Sequence, residues 1–296
     1  MYYRRKIVLA LLEAFPGKME RLKFQKLLFL LNIHLKSPVY HFLPYKYGCF
    51  SFQANAEFLT LEKKGFISTE GSSWSVNGND SWLNTLTEDD RRQVKRLVHD
   101  FGTYTTDELI KYTYEHFPFY AIRSTIVNKY LDTEGMKKVK AATPKAVGSV
   151  LFTLGYEGLS LEQYINLLLR NGVKMLFDVR KNALSMKYGF SKRTLQTACE
   201  NVSISYEHCP DVGIVSDKRK NLHTQADYDA LFAEYRATVL PQTIRVQIEM
   251  CKKIEKSERA ALLCFEKKPM MCHRTHLANS LMHHFTSPVR LHHIHG

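Results

Sequence analysis

The sequence predicts two domains of different class. A mostly helical winged helix-turn-helix domain covers residues 1–135, and an α/β domain with a Rossmann-like parallel sheet covers 150–296. A basic linker, 136–149, joins them. Three observations lead there. The 296 residues are too many for one ordinary domain and comfortable for two. In the first half, apolar residues recur at helical spacing and are followed by two short strand-like runs. After Val150, short apolar runs alternate with amphipathic helical stretches, the pattern of strand–helix–strand units.

The first helix spans Tyr3–Phe15, with Ile7, Val8, Leu11 and Leu12 on one face and Pro16-Gly17 as its stop. The second spans Met19–Leu35, apolar through Leu22, Phe24, Leu27, Leu28, Leu30 and Leu31 and basic at Arg21, Lys23 and Lys26. An aromatic loop, Tyr40–Phe52, precedes a third helix that runs to Lys64 and closes at Gly65. Phe66–Thr69 and Ser73–Val76 then read as a small hairpin. Thr87 and Thr105, each followed by acidic residues, cap further helices. The stretch Tyr45–Ser51 resembles the PYxYGPxS-like loop of prokaryotic winged-helix modules, with Cys49 in place of the usual proline.

In the second half, Val150–Leu154 is a strand, Gly155–Gly158 a tight turn, and Ser160 caps the helix Leu161–Arg170. Strands follow at Lys174–Val179, Ser203–Glu207, Ala260–Phe265 and Val289–Ile294. Helices are expected at Leu195–Asn201, across most of Tyr228–Lys256, and at Cys272–His284.

Lys and Arg number 42 against 29 Asp and Glu, a net charge of +13. Such an excess points to a polyanionic partner, nucleic acid with DNA favoured. The first 150 residues hold 22 basic and 15 acidic residues, the remainder 20 and 14, so neither half is a basic tail. Arg4, Arg5 and Lys6 on the first helix, Lys138 and Lys140 in the linker, and Lys218, Arg219 and Lys220 in a later loop are the candidate nucleic-acid contacts. A protein partner for the first domain is the other expectation. Six cysteines without a CxxC pair suit a reducing cytoplasm better than a disulfide framework. No apolar run approaches the roughly 18 residues of a membrane span, and no signal peptide or membrane partner is expected.

Four motifs follow in order: Thr153–Gly158, Asp178-Val-Arg180, Leu262–Glu266 and Cys272-His-Arg274. Together they resemble the DUF488 family over residues 150–294, with Ala183 where many members have a proline after DVR. The resemblance implies a compact α/β domain suspected of nucleic-acid or nucleotide work.

Ligands of a parallel α/β sheet sit at the carboxyl ends of its strands. Three of these motifs end predicted strands, which gathers Tyr156, Glu157, Asp178, Glu266 and Cys272 as candidate catalytic groups. Glu157 and Glu266 have the chemistry of a general acid and base, and Cys272, at a helix start beside Arg274, that of a thiolate nucleophile. Arg180 and Arg274 are the candidate phosphate-binding pair. Buried structural pairing of these same groups is the competing reading. Cys264, Cys272, His273 and His276 lie close in sequence. Alternation turns Cys264 away from its strand neighbours, and no spacing matches a structural zinc site, so no metal is expected. No cofactor is specified.

Hydrolysis or group transfer on a nucleic acid or nucleotide is therefore the expected activity. The alternatives are a non-enzymatic winged-helix regulator with a nucleotide-sensing domain, and a protein-interaction adaptor in a defence or toxin-antitoxin system.

Overall fold

A computed structural model describes the whole chain except residues 16, 79, 80 and 221. It divides into two compact units, Met1–Thr143 and Pro144–Gly296.

The first unit opens with α1 (Tyr3–Ala14), β1 (Met19–Glu20) and α2 (Arg21–His34). Helix α1 ends at Ala14, while Pro16, expected to stop it, lies outside the described residues. A continuous helix was expected from Met19. Its first two residues are instead extended, because they pair antiparallel with Ser73 and Trp74. The aromatic stretch expected as a loop contains a hairpin, β2 (Leu43–Tyr45) and β3 (Gly48–Phe50). Ser51 caps α3 (Phe52–Lys63) through the Ala54 amide. Next come β4 (Ile67–Glu70) and β5 (Ser73–Val76), which complete the antiparallel order β1-β5-β4.

Four helices follow: α4 (Glu88–Phe101), α5 (Thr106–His116), α6 (Val127–Tyr130) and α7 (Thr133–Ala142). Thr105 and Glu108 form a reciprocal capping box on α5. The basic stretch expected as linker from residue 136 is helical as far as Ala142. Asp132 caps it at the Gly135 amide, and Val139 buries against the α5 region. The core is apolar and aromatic, with Phe58 stacked on Trp74 at 3.8 Å and Phe24 meeting Phe58 edge-on at 4.6 Å.

The second unit is a mixed α/β layer built on β6 (Val150–Gly155), α8 (Leu161–Arg170), β7 (Met175–Asp178), α9 (Lys192–Glu200) and β8 (Ser205–His208). It continues with α10 (Gln225–Ala237), α11 (Val239–Gln242), α12 (Ile244–Ser257), β9 (Arg259–Cys264), α13 (His273–Leu281) and β10 (Arg290–His293). The five strands are all parallel, in the order β10-β6-β9-β7-β8. Strands β6 and β9 are buried along their whole length, as central parallel strands are. Alternation along β9 sends Ala260, Leu262 and Cys264 into the core shared with α10, α12 and α13. No helix among the described residues is long and apolar enough to cross a membrane.

Candidate functional site

The register of the sheet fixes what meets at its carboxyl edge. Gly155 lies opposite Cys264, and Asp178 opposite Leu263 on one side and His208 on the other. Residues just beyond these positions therefore share one rim, as the sequence predicts. The rim holds two separate groups of side chains.

The first group is a closed network. The Arg180 guanidinium donates from Nε to Asp178 Oδ1 at 2.8 Å and from Nη2 to Asp178 Oδ2 at 2.5 Å. It also donates to Tyr156 Oη at 2.9 Å and to the Phe190 carbonyl at 2.9 Å. Tyr206 Oη donates to Asp178 Oδ2 at 2.6 Å, and burial together with that carboxylate pushes its phenol well above the usual range. Tyr156 is buried and stacks on Phe190 at 4.2 Å. Phe190 thus belongs to the core, while Tyr188, two residues before it, is exposed.

Arg274, fully buried, donates to the backbone carbonyls of Glu266 and Lys267. It acts as a strut for the loop after β9. Both arginines expected to grip a phosphate thus spend donors on the protein itself. Glu157 also serves this loop, since its carboxylate accepts from the Lys267 amide at 2.8 Å. Gly155 is required here, because a Cβ at that position would lie 1.8 Å from the Glu266 carbonyl oxygen.

The second group is a Cys-Cys-His cluster with a carboxylate. The Sγ atoms of Cys264 and Cys272 and a ring nitrogen of His273 all lie within 4.8 Å of one another, and all three residues are buried. Cys264 Sγ is 3.7 Å from His273 Nδ1 and 3.3 Å from Glu266 Oε2. His273 Nε2 lies 2.9 Å from the Val179 carbonyl, which can only accept. That contact fixes the proton on Nε2 and leaves the Nδ1 lone pair facing the thiols.

The thiols diverge in acidity. Burial, first, pushes Cys272 far above the ordinary value. A hydrogen bond from Cys272 draws Cys264 down to about 7 against the opposing effect of burial, with Arg219 assisting. The hydrogen bond between them thus favours the thiolate at Cys264, whereas a helix start alone favours it at Cys272. The sequence does carry a signal for Cys264: its alternation with Ala260 and Leu262 turns it toward the face on which α13 packs.

This cluster forms one wall of a cavity of about 200 Å3. Glu266, Cys272 and His273 line it, together with Tyr228 and Phe232. Arg219, which forms an ion pair with Glu266, completes the polar part.

The remaining basic candidates are scattered. Arg4 and Arg5 both pair with the buried carboxylate of Glu57, Arg4 through Nε at 2.6 Å. Lys6 is half-buried, while Lys138 and Lys140 are exposed on α7. Lys218 pairs with Glu234 at 2.5 Å and Lys220 with Asp217 at 2.6 Å; they are the sequence neighbours of Arg219, which lines the cavity.

Residues 160–281 match the family model described as "Domain of unknown function DUF488". The match lies wholly within the second unit and takes in the Asp178–Arg180, Leu262–Glu266 and Cys272–Arg274 motifs. A search of curated proteins found no match to the chain.

Proposed function

We propose that the second unit carries out hydrolysis or group transfer on a nucleotide, or on a base of a nucleic acid, held in the cavity between Tyr228–Phe232 and Glu266–Cys272–His273. One observation carries this reading: a small cavity whose lining combines the aromatic rings of Tyr228 and Phe232 with an acid, an imidazole and a thiol, Glu266, His273 and Cys272. A planar base suits such a space, since its face stacks on aromatic rings and its edge seeks polar groups. Glu266 is the general acid and base, and Arg219 the group that meets negative charge at the mouth. Lys218 and Lys220 beside it favour a phosphate backbone.

The first unit places the chain on nucleic acid. We read its order α1-β1-α2-β2-β3-α3-β4-β5, three helices followed by a short hairpin, as a winged-helix variant, which supports this role. Helix α3 itself holds Glu57, Glu62 and only Lys63 as a basic residue, so contact through the phosphate backbone is the expected mode.

The test is a turnover screen of the full chain against nucleosides, nucleoside monophosphates and single-stranded DNA and RNA, with Glu266→Gln beside it. Turnover that falls at least about a hundredfold in a folded Glu266→Gln supports the reading. Turnover unchanged in that variant refutes it.

A further inference from the structure

We propose that Cys264, Cys272 and His273 hold a zinc ion whose fourth position opens into the cavity. Zinc with two thiolates and an imidazole, tetrahedral, brings a sulfur and a nitrogen ligand to about 3.6 Å of each other. The Cys264 Sγ to His273 Nδ1 separation is 3.7 Å, and Cys272 Sγ lies within the same 4.8 Å cluster. The Cys264–His273 pair thus stands at zinc spacing, with Cys272 close enough to supply the third ligand.

A second observation is independent of spacing. Metal-bound imidazoles donate their other N–H to a carbonyl or carboxylate, which fixes the tautomer and the ring. His273 does this through Nε2 to the Val179 carbonyl, leaving Nδ1 as the ligand atom. Val179 is held in turn by its amide, which donates to the Leu263 carbonyl at 3.2 Å. The ring is therefore oriented by the sheet itself.

The arrangement is that of a catalytic rather than a structural site. Structural zinc takes four protein ligands, whereas catalytic zinc takes three and a water. Here the three ligands are buried, yet Cys272 and His273 also line the cavity. Glu266 Oε2 lies 3.3 Å from Cys264 Sγ, beside the open position, and its carboxylate is steered by Arg219. A zinc-bound water there gives its proton to Glu266. The hydroxide oxygen then bonds to the electrophilic atom of the bound base or phosphate. The bond to the leaving group breaks with its electron pair, and Glu266 returns the proton to that group. This catalytic part rests on the function proposed above, whereas the binding of the ion does not.

The test uses the full chain without an affinity tag, purified without chelator and dialysed. Elemental analysis is expected to find about one zinc per chain, lost in Cys264→Ser and in Cys272→Ser. Cys199→Ser, which removes a buried thiol elsewhere, keeps it. Because a buried serine can itself unfold the unit, the wild-type chain is also loaded with cobalt. A sulfur-to-cobalt charge-transfer band then reports thiolate ligation without any substitution. No zinc and no such band overturns the proposal, as does zinc that persists in both folded serine variants. Turnover by zinc-free chain overturns the catalytic role given to the ion while leaving the proposed function standing. One zinc lost with the thiols, in a chain that turns over nothing, leaves the site standing and removes the function.

Discussion

The Asp178 carboxylate and the Arg180 guanidinium, two residues apart at the end of β7, meet in a two-point fork at 2.8 and 2.5 Å with neither side chain appreciably exposed. Removing one partner of such a pair strands a buried charge and costs about 3–5 kcal/mol. Arg180→Ala and Asp178→Ala are each expected to lower unfolding stability by that amount, and the double variant by less than the sum. Urea denaturation measures it. A variant of either residue that keeps full stability but loses nucleotide binding would instead make the pair part of the ligand site.

Gly155→Ala places a methyl group against the Glu266 carbonyl, 1.8 Å away, and near Arg274. The loop after β9 must then move, at a cost of about 1–3 kcal/mol. Because the same loop carries Glu266, turnover is expected to fall further than stability does. A variant with wild-type turnover would show that the loop position does not matter.

Lys26 is fully buried, with its Nζ donating to the Tyr47 carbonyl and 3.6 Å from Cys49 Sγ. Burial holds its pKa below the ordinary lysine value of 10.5. The unfolded chain keeps that ordinary value, so between the two values it binds one proton more than the folded chain. Stability from this group therefore rises with pH toward 10.5 and is flat below the folded pKa. Wild type is expected to gain on Lys26→Met as pH is raised from about 8 to 10.5, by at most tenfold in the folding equilibrium per unit. Denaturation curves of both proteins across that range decide it, and parallel curves would contradict the shift.

Lys218 and Lys220 flank in sequence Arg219, which lines the cavity. If each meets a phosphate, Lys218→Ala and Lys220→Ala each flatten the salt dependence of nucleic-acid affinity by about 0.9 in logarithmic slope on duplex, or about 0.7 on single strands. Fluorescence anisotropy at several salt concentrations reads this directly. An unchanged slope would confine both lysines to their ion pairs with Glu234 and Asp217.

The parallel sheet was legible in the sequence because each strand is a short apolar run bounded by turn residues, and the helices between them show a clear period. Strand β1 was not, since two residues carry no pattern and Met19-Glu20 is extended only because Ser73-Trp74 lies beside it. Helix α7 was hidden by composition: Lys137, Lys138 and Lys140 among Ala and Thr read as a linker, while Asp132 and Val139 decide for a helix. At the site, strand-end reasoning gathered these side chains on one rim but could not divide them. That division depends on which side chains satisfy one another. Asp178 and Tyr156 absorb Arg180 while Tyr206 holds Asp178, and Cys264 meets Cys272 only because α13 returns onto the face to which β9 turns it.

The central claim is that the cavity between Tyr228–Phe232 and Glu266–Cys272–His273 receives a nucleotide base. A crystal structure of the full chain grown with saturating nucleoside monophosphates tests it most directly. The account predicts a base stacked against Tyr228 and Phe232, its polar edge toward Glu266 and His273. Nucleotide bound only elsewhere, with this cavity filled by solvent at saturation, would contradict it.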